Sequence, residues 1–387
     1  MSRLPKQVVI ISLVSLFTDM ASEMLYPITP IFLSSVLGAS MAMVGLIEGL
    51  AEVTAGLLKG YFGILSDKLG KRSTFVVLGY TLSAIAKPLP GILPSTLTVL
   101  AARVTDRIGK GVRTAPRDAL LASYAENNTG TVFGFHRAMD TLGAVIGPVL
   151  ALVMLNTLKF DYQTIFIIAF LPSLIAVFFA LNVKDRKVEQ YSNQKHVLIG
   201  FWKSAPKQYK ILFTLITIFS LVNSSDVFLI LKSKNISGSD TIAISGYIFY
   251  NIIYAVSSYP IGIISDRIGK KKVFIIGLLI FSAVYFGFAT LNSFVFTWIL
   301  FALYGIYASS TEGVLKAWVS DLVPDQSRGS AIGLITMSSS IAIMLGSIVT
   351  GFLWDKFGPQ IPFYISSAVS LIVAGLLYRL CKTKLQG

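Results

Sequence analysis

Residues 63–72 read GILSDKLGKR, and residues 262–271, which follow 199 positions later, read GIISDRIGKK. Six of the ten positions are identical, and the other four exchange similar residues. The same offset pairs Gly134 with Gly333. Similarity at one fixed, long offset predicts a chain built from two halves that share a fold.

The composition is that of a membrane protein. The 387 residues are 54% hydrophobic and 13% charged, and the mean hydropathy is +0.72, whereas soluble domains are about a quarter charged. A water-soluble globule is therefore excluded. The single cysteine, Cys381, excludes a disulfide framework, and with two histidines the chain offers little for a metal site. We expect no metal and no cofactor.

Twelve apolar stretches approach the roughly 20 residues that a helix needs to cross a bilayer. We expect spans over residues 8–35, 41–65, 74–93, 95–123, 130–155, 162–183, 208–232, 241–264, 273–290, 294–322, 328–353 and 360–380. The predicted architecture is an all-α membrane protein of two pseudo-symmetric six-helix bundles. The bundles would be residues 1–183 and 208–387, joined by a polar linker at 184–207.

The basic residues predict the orientation in the membrane. The net charge of +14 would suggest nucleic acid in a soluble protein, but here most of the excess lies in short loops. Twenty Lys and Arg lie on the side that both termini share, and four lie in the opposite loops. Positive loops stay inside, so both termini and the linker should be cytoplasmic. The first apolar stretch is too long for a signal peptide and is interpreted as the first span.

Charged residues inside the spans predict a polar interior. Each costs about 2.5–3.5 kcal/mol at a helix centre on insertion scales, so these side chains must face one another or a hydrated cavity. The candidates for proton coupling and the cavity are Asp19, Glu23, Glu48, Glu52, Arg103, Asp106, Arg107, Lys110, His136, Arg137, Asp140, Asp226, Glu312 and Lys316. For each pair, a structural salt bridge is the alternative interpretation.

The repeated decapeptide resembles a known signature. The pattern Gly63, Asp67, Lys68, Gly70, Lys71 and Arg72 is similar to the loop 2–3 motif of the major facilitator superfamily. Gly262, Asp266, Arg267 and Gly269 resemble its echo in loop 8–9. The resemblance covers the whole chain and implies the fold of that superfamily, with spans 1, 4, 7 and 10 around a cavity. It also implies that Asp67 and its basic neighbours latch the two halves in the outward-open state.

A second motif lies in span 5. Gly134, Gly143, Gly147 and Pro148 are similar to the motif of antiporters in this superfamily, although Ala151 and Leu152 replace its final glycine pair. By themselves, small residues four apart favour close helix packing. Arg103 stands where many proton-coupled members carry a membrane-embedded arginine. Polar and aromatic groups on the spans that should face the cavity are Tyr26, Asn223, Ser224, Ser225, Asp226, Tyr304, Tyr307 and Trp318.

These features predict a proton-coupled secondary transporter of a small organic solute, monomeric in a bacterial cytoplasmic membrane and leaning to export. Asp19 or Glu23 would carry the proton, with Arg103 as modulator. A symporter that imports an anionic, zwitterionic or siderophore-like compound is the alternative, and a transport-inactive sensor or scaffold is the third. Partners would be the solute, the proton and the lipid bilayer, with no nucleic acid. The sequence shows no nucleophile–base arrangement that would predict an enzyme.

Overall fold

The computed structural model describes residues 4–125, 129–186, 198–323 and 328–382, without the side chains of 60, 64, 67, 68, 125–131, 134, 198–200, 259, 328–330 and 380–382. Within this part every regular element is helical. The helices are α1 (Lys6–Leu25), α2 (Ile28–Ile31), α3 (Met41–Leu69), α4 (Arg72–Ala86), α5 (Leu89–Ile92), α6 (Thr96–Ala125), α7 (Thr129–Asn156), α8 (Tyr162–Ile168), α9 (Phe170–Ala180), α10 (Leu198–Ser204), α11 (Lys207–Ser220), α12 (Val227–Ser237), α13 (Asp240–Ile268), α14 (Lys270–Thr290), α15 (Phe294–Leu322), α16 (Arg328–Phe357) and α17 (Gln360–Lys382). A π-helical turn, Phe32–Val36, follows α2.

Apart from α10, which lies in the predicted linker, the described helices correspond to the twelve predicted spans. Ten segments within the described residues are long and apolar enough to cross a membrane. Helix α6 is not among them because it carries seven charged residues. The remaining span is interrupted and is formed by α11 and α12, neither of which is long enough alone.

The predicted span at 208–232 is formed by two helices with a break between them. Helix α11 ends at Ser220, and α12 begins at Val227 and runs to Ser237, where Gly238 takes a φ of +65°. The intervening residues include Asn223, Ser224, Ser225 and Asp226, whose side chains compete with the backbone for hydrogen bonds. The apolar residues on both sides kept the average hydropathy of this stretch high, so the break was not visible in the hydropathy of the sequence.

The repeated decapeptide builds the same turn twice. Helix α3 ends before Gly70, whose φ is +63°, and the Gly70 N–H donates to Ser66 O at 3.0 Å. Helix α13 ends before Gly269, whose φ is +99°, and its N–H donates to Ser265 O at 3.0 Å. Glycine adopts this left-handed backbone without the penalty of a side chain. The predicted repeat is therefore present at the level of single hydrogen bonds.

The chain divides into two compact units. The first comprises Met1–Ala39 and Leu50–Ser192. In it α1 packs against α7 and α9, and α4 packs against α6 and α9. Val8, Ile11 and Val14 of α1 are buried in an apolar core shared with these helices. Asp161 caps α8, and hydrogen bonds from Thr164 hold the pKa of the Asp161 carboxyl below its usual range.

The second unit comprises Ser40–Gly49 and Asn193–Gly387. Helix α15 packs against α13 and α14, α14 against α17, and α11 against α16. Its core is rich in aromatic rings, such as Phe281 and Phe288. The first turns of α3 belong to this unit, where the Asp355 carboxylate accepts hydrogen bonds from the backbone of Met41 at 2.9 Å and Ala42 at 2.8 Å.

Candidate functional site

A buried ion pair fixes the centre of the first unit. Lys87, directly after α4, donates to Asp106 of α6 at 3.2 Å, and Arg107 lies 3.8 Å from the other carboxylate oxygen. Lys87 is 5% exposed and Asp106 is 9% exposed. Asp106 and Arg107 were predicted to face a polar interior, whereas Lys87 was not among the predicted site residues because it lies near the outer end of its predicted span. Because both side chains are buried, removing one of them would leave an uncompensated buried charge and destabilise the fold.

A second cation, Arg113, was interpreted from the sequence as an anchor near the cytoplasmic end of its span, and it is buried one to two turns further along α6. Its guanidinium donates to the Ser83 hydroxyl and to Gly79 O at 3.4 Å, and lies 4.5 Å from the centre of the Tyr80 ring. Helices α4 and α6 come close here because Gly79 faces Gly109. The helical spacing of the charges on α6 was the available signal, since residues three and four apart share a face.

Beside the ion pair lies a small, partly open cavity. Its polar lining includes Ser22, Thr29, Lys87, Arg103 and Asp106, and Phe166 contributes an apolar wall. The Arg103 guanidinium lies 5.5 Å from the centre of the Tyr26 ring. Two residues predicted to face a cavity, Arg103 and Asp106, are thus brought together at one.

The carboxyls of Asp19 in α1 and Asp140 in α7 lie close to each other where the two helices pack. Lys110 and Glu23 are the next charged groups around Asp19, and Arg137 lies 3.6 Å from Asp140. Two carboxyls in contact resist carrying two negative charges, so the pair can hold one proton between them. The sequence predicted both acids but did not pair them.

His136 lies close to this pair. It is 5% exposed, and neither ring nitrogen has a hydrogen-bond partner among the described residues. Its charged surroundings come from Arg117, Asp118 and Asp140. Its role in the polar interior stays a prediction.

The span-5 motif lies against α1. A Cβ atom at Gly143 would collide with Leu16 O, and one at Gly147 would collide with Met20 O. Pro148 is buried beside them, and the side-chain position of Gly134 lies outside the described part. This is the geometry of close helix packing, and it brings α7 near enough to α1 for the Asp19–Asp140 contact.

The loop motifs are described in part. Gly63 packs against Ala115, where an added Cβ would lie 3.0 Å away. In the second loop Lys270 joins Asp266 at 3.9 Å and Asp321 at 2.6 Å. Lys71 and Arg267 are exposed, and Arg72 begins α4. The side chains of Asp67 and Lys68 lie outside the described residues, so the latch stays a prediction.

The second unit places two of its acids, Asp226 and Glu312, beside tyrosines. Tyr304 Oη donates to Asp226 Oδ1 at 2.6 Å, and Tyr254 Oη donates to Glu312 Oε2 at 2.8 Å. Tyr254, with Tyr250 four residues earlier, was missed, although this spacing puts both on one face of span 8.

Other predicted residues lie apart from these contacts. Glu48 is buried in the part of α3 that belongs to the second unit, whereas Glu52 is exposed in the first. Lys316 is exposed one turn after Glu312. Trp318 packs on Phe274, with ring centres 5.8 Å apart, and not on the tyrosines. The predicted set therefore separates into several locations.

Comparison with known proteins supplies the context. The profile of the Major Facilitator Superfamily matches residues 11–249 and 227–386. An uncharacterized MFS-type transporter of Methanocaldococcus jannaschii is 37% identical over 380 residues, 97% of this chain and 94% of its own length. Sugar efflux transporter A of Escherichia coli is 23% identical over 374 residues, 93% and 92% of the two chains.

Among solved structures, a mutant of the nucleoside transporter NupG superposes with a TM-score of 0.85 at 16% identity. The match covers 97% of this chain and 99% of that chain. At this identity the likeness shows the fold, and it confirms the predicted fold class.

Proposed function

The chain belongs to the major facilitator superfamily, and on that premise we propose that it is a proton-coupled exporter of a small organic solute. Membership supports a secondary transporter in a membrane. Export is supported by the span-5 motif and by the likeness to a sugar efflux transporter. The excess of basic residues on one side supports a cytoplasmic membrane with both termini inside. We further propose that it acts as a monomer.

The contact between Asp19 and Asp140 carries the proposal of proton coupling. With one shared proton, the two carboxyls attract each other through a hydrogen bond. When that proton leaves, two negative charges remain in contact, and their repulsion acts directly on the packing of α1 against α7. Helices α1 and α7 are in direct backbone contact at Gly143 and Gly147. A change in the charge of the pair therefore acts on two closely packed helices.

Labelling with N,N′-dicyclohexylcarbodiimide, which modifies protonated carboxyls in apolar surroundings, tests the pair without a known solute. We expect mass spectrometry to find the label at Asp19 or Asp140, and the label should fall as the pH rises. Asp161→Asn is the matched control, because asparagine also caps a helix and the residue lies in a loop. If neither acid is labelled in the wild-type protein, the proposal is contradicted.

Transport then tests coupling and direction. Proteoliposomes with a pH-sensitive dye inside are exposed to sugars, nucleosides and organic cations under gradients of either sign. We expect a solute that moves against a proton flux, and Asp19→Asn should abolish this uphill movement while solute exchange persists. Uphill movement in both Asp19→Asn and Asp140→Asn would overturn proton coupling through this pair. Co-directional flux would favour the importer.

A further inference from the structure

The second unit contains a group of side chains that the proposed proton pathway does not use. We call it the acid–tyrosine face, and its members are Asp226, Tyr250, Tyr254, Tyr304 and Glu312. Asp226 closes the break between α11 and α12, two tyrosines come from α13, and the others come from α15. Three elements of one compact unit therefore meet here.

Hydrogen bonds and ring contacts make this face continuous. Tyr250 lies between the two acid–tyrosine pairs. Its ring centre is 5.0 Å from that of Tyr304 and 6.3 Å from that of Tyr254, and the rings of Tyr250 and Tyr254 are stacked. Tyr304 is bonded to Asp226 and Tyr254 to Glu312. The result is a row of three aromatic rings with a carboxylate at each end.

The face has access to solvent at its ends. Glu312 is exposed, and Asp226 and Tyr254 are half-buried, while Tyr250 and Tyr304 are buried behind them. A charged side chain within a membrane-spanning helix is costly against lipid and faces a hydrated path. The exposed carboxylate of Glu312 therefore marks a side of the unit that water reaches.

Nearby polar groups also point to a ligand. Tyr285 is 2% exposed, yet its hydroxyl has no partner at hydrogen-bond geometry among the described residues, with Tyr304 and Ser224 as its polar neighbours. The Asn223 amide oxygen, in the break before α12, is also buried without a hydrogen-bond partner among the described residues. An unsatisfied buried polar group costs free energy, and a ligand that it contacts can offset that cost.

The chemistry of the face selects a cation. Aromatic faces attract cations through the ring quadrupole, and desolvation strengthens this attraction. The two carboxylates add negative charge at both ends. Asp226 immediately precedes α12 and makes no side-chain capping bond to it. An anionic group placed here would face two carboxylates and gain little from the rings.

We propose that the acid–tyrosine face binds an ammonium or other organic cationic group of the transported solute. This inference rests on the proposed transporter function and deepens it by naming a substrate class. The rings of Tyr250 and Tyr254 contact the cation, and Asp226 and Glu312 neutralise its charge. Tyr304 positions Asp226 through its hydrogen bond.

Binding to the full purified chain in lipid nanodiscs tests the proposal. The probes are choline, its uncharged isostere 3,3-dimethylbutanol, and tetraphenylphosphonium. A bound ligand raises thermal stability by mass action, so even weak binding is visible at high concentration. We expect at least one of the two cations to stabilise the wild-type protein and the uncharged alcohol to leave it unchanged.

Substitutions distinguish the contribution of the carboxylate charge from that of the aromatic rings. Glu312→Gln should weaken binding of the cation about tenfold, as expected for loss of one nearby charge at the protein surface. Tyr250→Leu should weaken it roughly 2-fold to 30-fold through loss of an aromatic face. Tyr254→Phe keeps its ring and should stay within about twofold of the wild type. Asp240→Asn, which removes an acid paired with Lys234 in the same unit, is the control and should bind like the wild type.

Each result decides the proposal. No stabilisation by either cation, or equal stabilisation by choline and its isostere, overturns it. Wild-type affinity in both Glu312→Gln and Tyr250→Leu also overturns it, and Glu312→Gln tests the charge even if Tyr250→Leu fails to fold. Carbodiimide labelling on the same preparation tests the proton pair separately, so failure of one proposal is distinguishable from failure of the other.

Discussion

Helices α6 and α15 occupy equivalent places in the repeat, yet most of the charged residues of α6 have no charged equivalent on α15. At the offset of 199, five of the seven charged residues of α6 meet neutral ones on α15, one cation meets an acid, and one meets a lysine. The pairs are Arg103 and Ala302, Asp106 and Gly305, Arg107 and Ile306, Lys110 and Ser309, Asp118 and Ala317, Arg113 and Glu312, and Arg117 and Lys316. One backbone plan thus supports an ionic interior in the first unit and a hydroxyl-rich, aromatic interior in the second.

The largest test of this difference is the buried pair of Lys87 and Asp106, whose equivalents are Phe286 and Gly305. Lys87→Met leaves the Asp106 carboxylate buried without its 3.2 Å partner. We expect the free energy of unfolding to fall by about 3–5 kcal/mol, as for other buried pairs that lose one member. Denaturant titration in detergent measures it.

A matched pair and a double variant serve as controls. Lys234→Met breaks a partly exposed pair with Asp240 and should cost under about 1 kcal/mol. Lys87→Met combined with Asp106→Leu removes both charges and should recover most of the loss. A double variant no more stable than Lys87→Met would show that charge burial is not the cause.

The next test uses two equivalent serines, Ser83 and Ser282. Ser83 accepts a hydrogen bond from the buried Arg113 guanidinium, whereas Ser282 exchanges hydrogen bonds with Ser367, the two hydroxyls lying 2.8 Å apart. A bond to a charged group contributes about 1.5–3 kcal/mol, and a neutral one about 0.5–1.5 kcal/mol. Ser83→Ala should therefore be the more destabilising change.

Thermal and denaturant unfolding of Ser83→Ala and Ser282→Ala, made in parallel, give the comparison. Ser83→Ala combined with Arg113→Met supplies the control, because it also removes the charge that loses its partner. Equal losses in the two single variants would contradict an ionic first unit and a neutral second unit.

The sequence was sufficient for the fold because apolar length and the repeated loop are local signals. Residues 63–72 and 262–271 required a left-handed glycine at the same position, and Gly70 and Gly269 have that backbone. The break at 221–226 was not predicted, since Asn223 and its polar neighbours lie between apolar segments long enough to average them out.

The sites were less predictable because pairing depends on tertiary contacts. Asp19 and Asp140 are 121 positions apart, and their contact requires the packing of α1 on α7. Lys87 lies near a predicted span end, a position that usually reaches water, yet it is buried beside Asp106. Tyr250 and Tyr254 resemble ordinary membrane aromatics until the acids beside them are known.

The smallest test concerns how closely the equivalent helices cross. At the crossing of α4 and α6, a Cβ at Gly79 would lie 2.5 Å from Gly109 O and 2.6 Å from Arg113 Cβ. At the crossing of α14 and α15, a Cβ at Gly277 would lie 2.8 Å from the Thr311 methyl group, a side-chain atom that can move. The backbone carbonyl of Gly109 cannot move away by rotation of a side chain.

We expect Gly79→Ala to cost about 1–3 kcal/mol from overpacking, partly offset by the roughly 1 kcal/mol by which alanine favours a helix. Gly277→Ala should cost less, because rotation of Thr311 relieves its contact. Gly375→Ala is the control, since nothing lies within 4 Å of the new Cβ, and it should be at least as stable as the wild type. If Gly277→Ala proves the more damaging of the first two in thermal unfolding, then the tighter crossing belongs to the second unit. The ionic groups of α6 would then have no special need for the close approach at Gly79, through which Arg113 reaches a backbone carbonyl of α4.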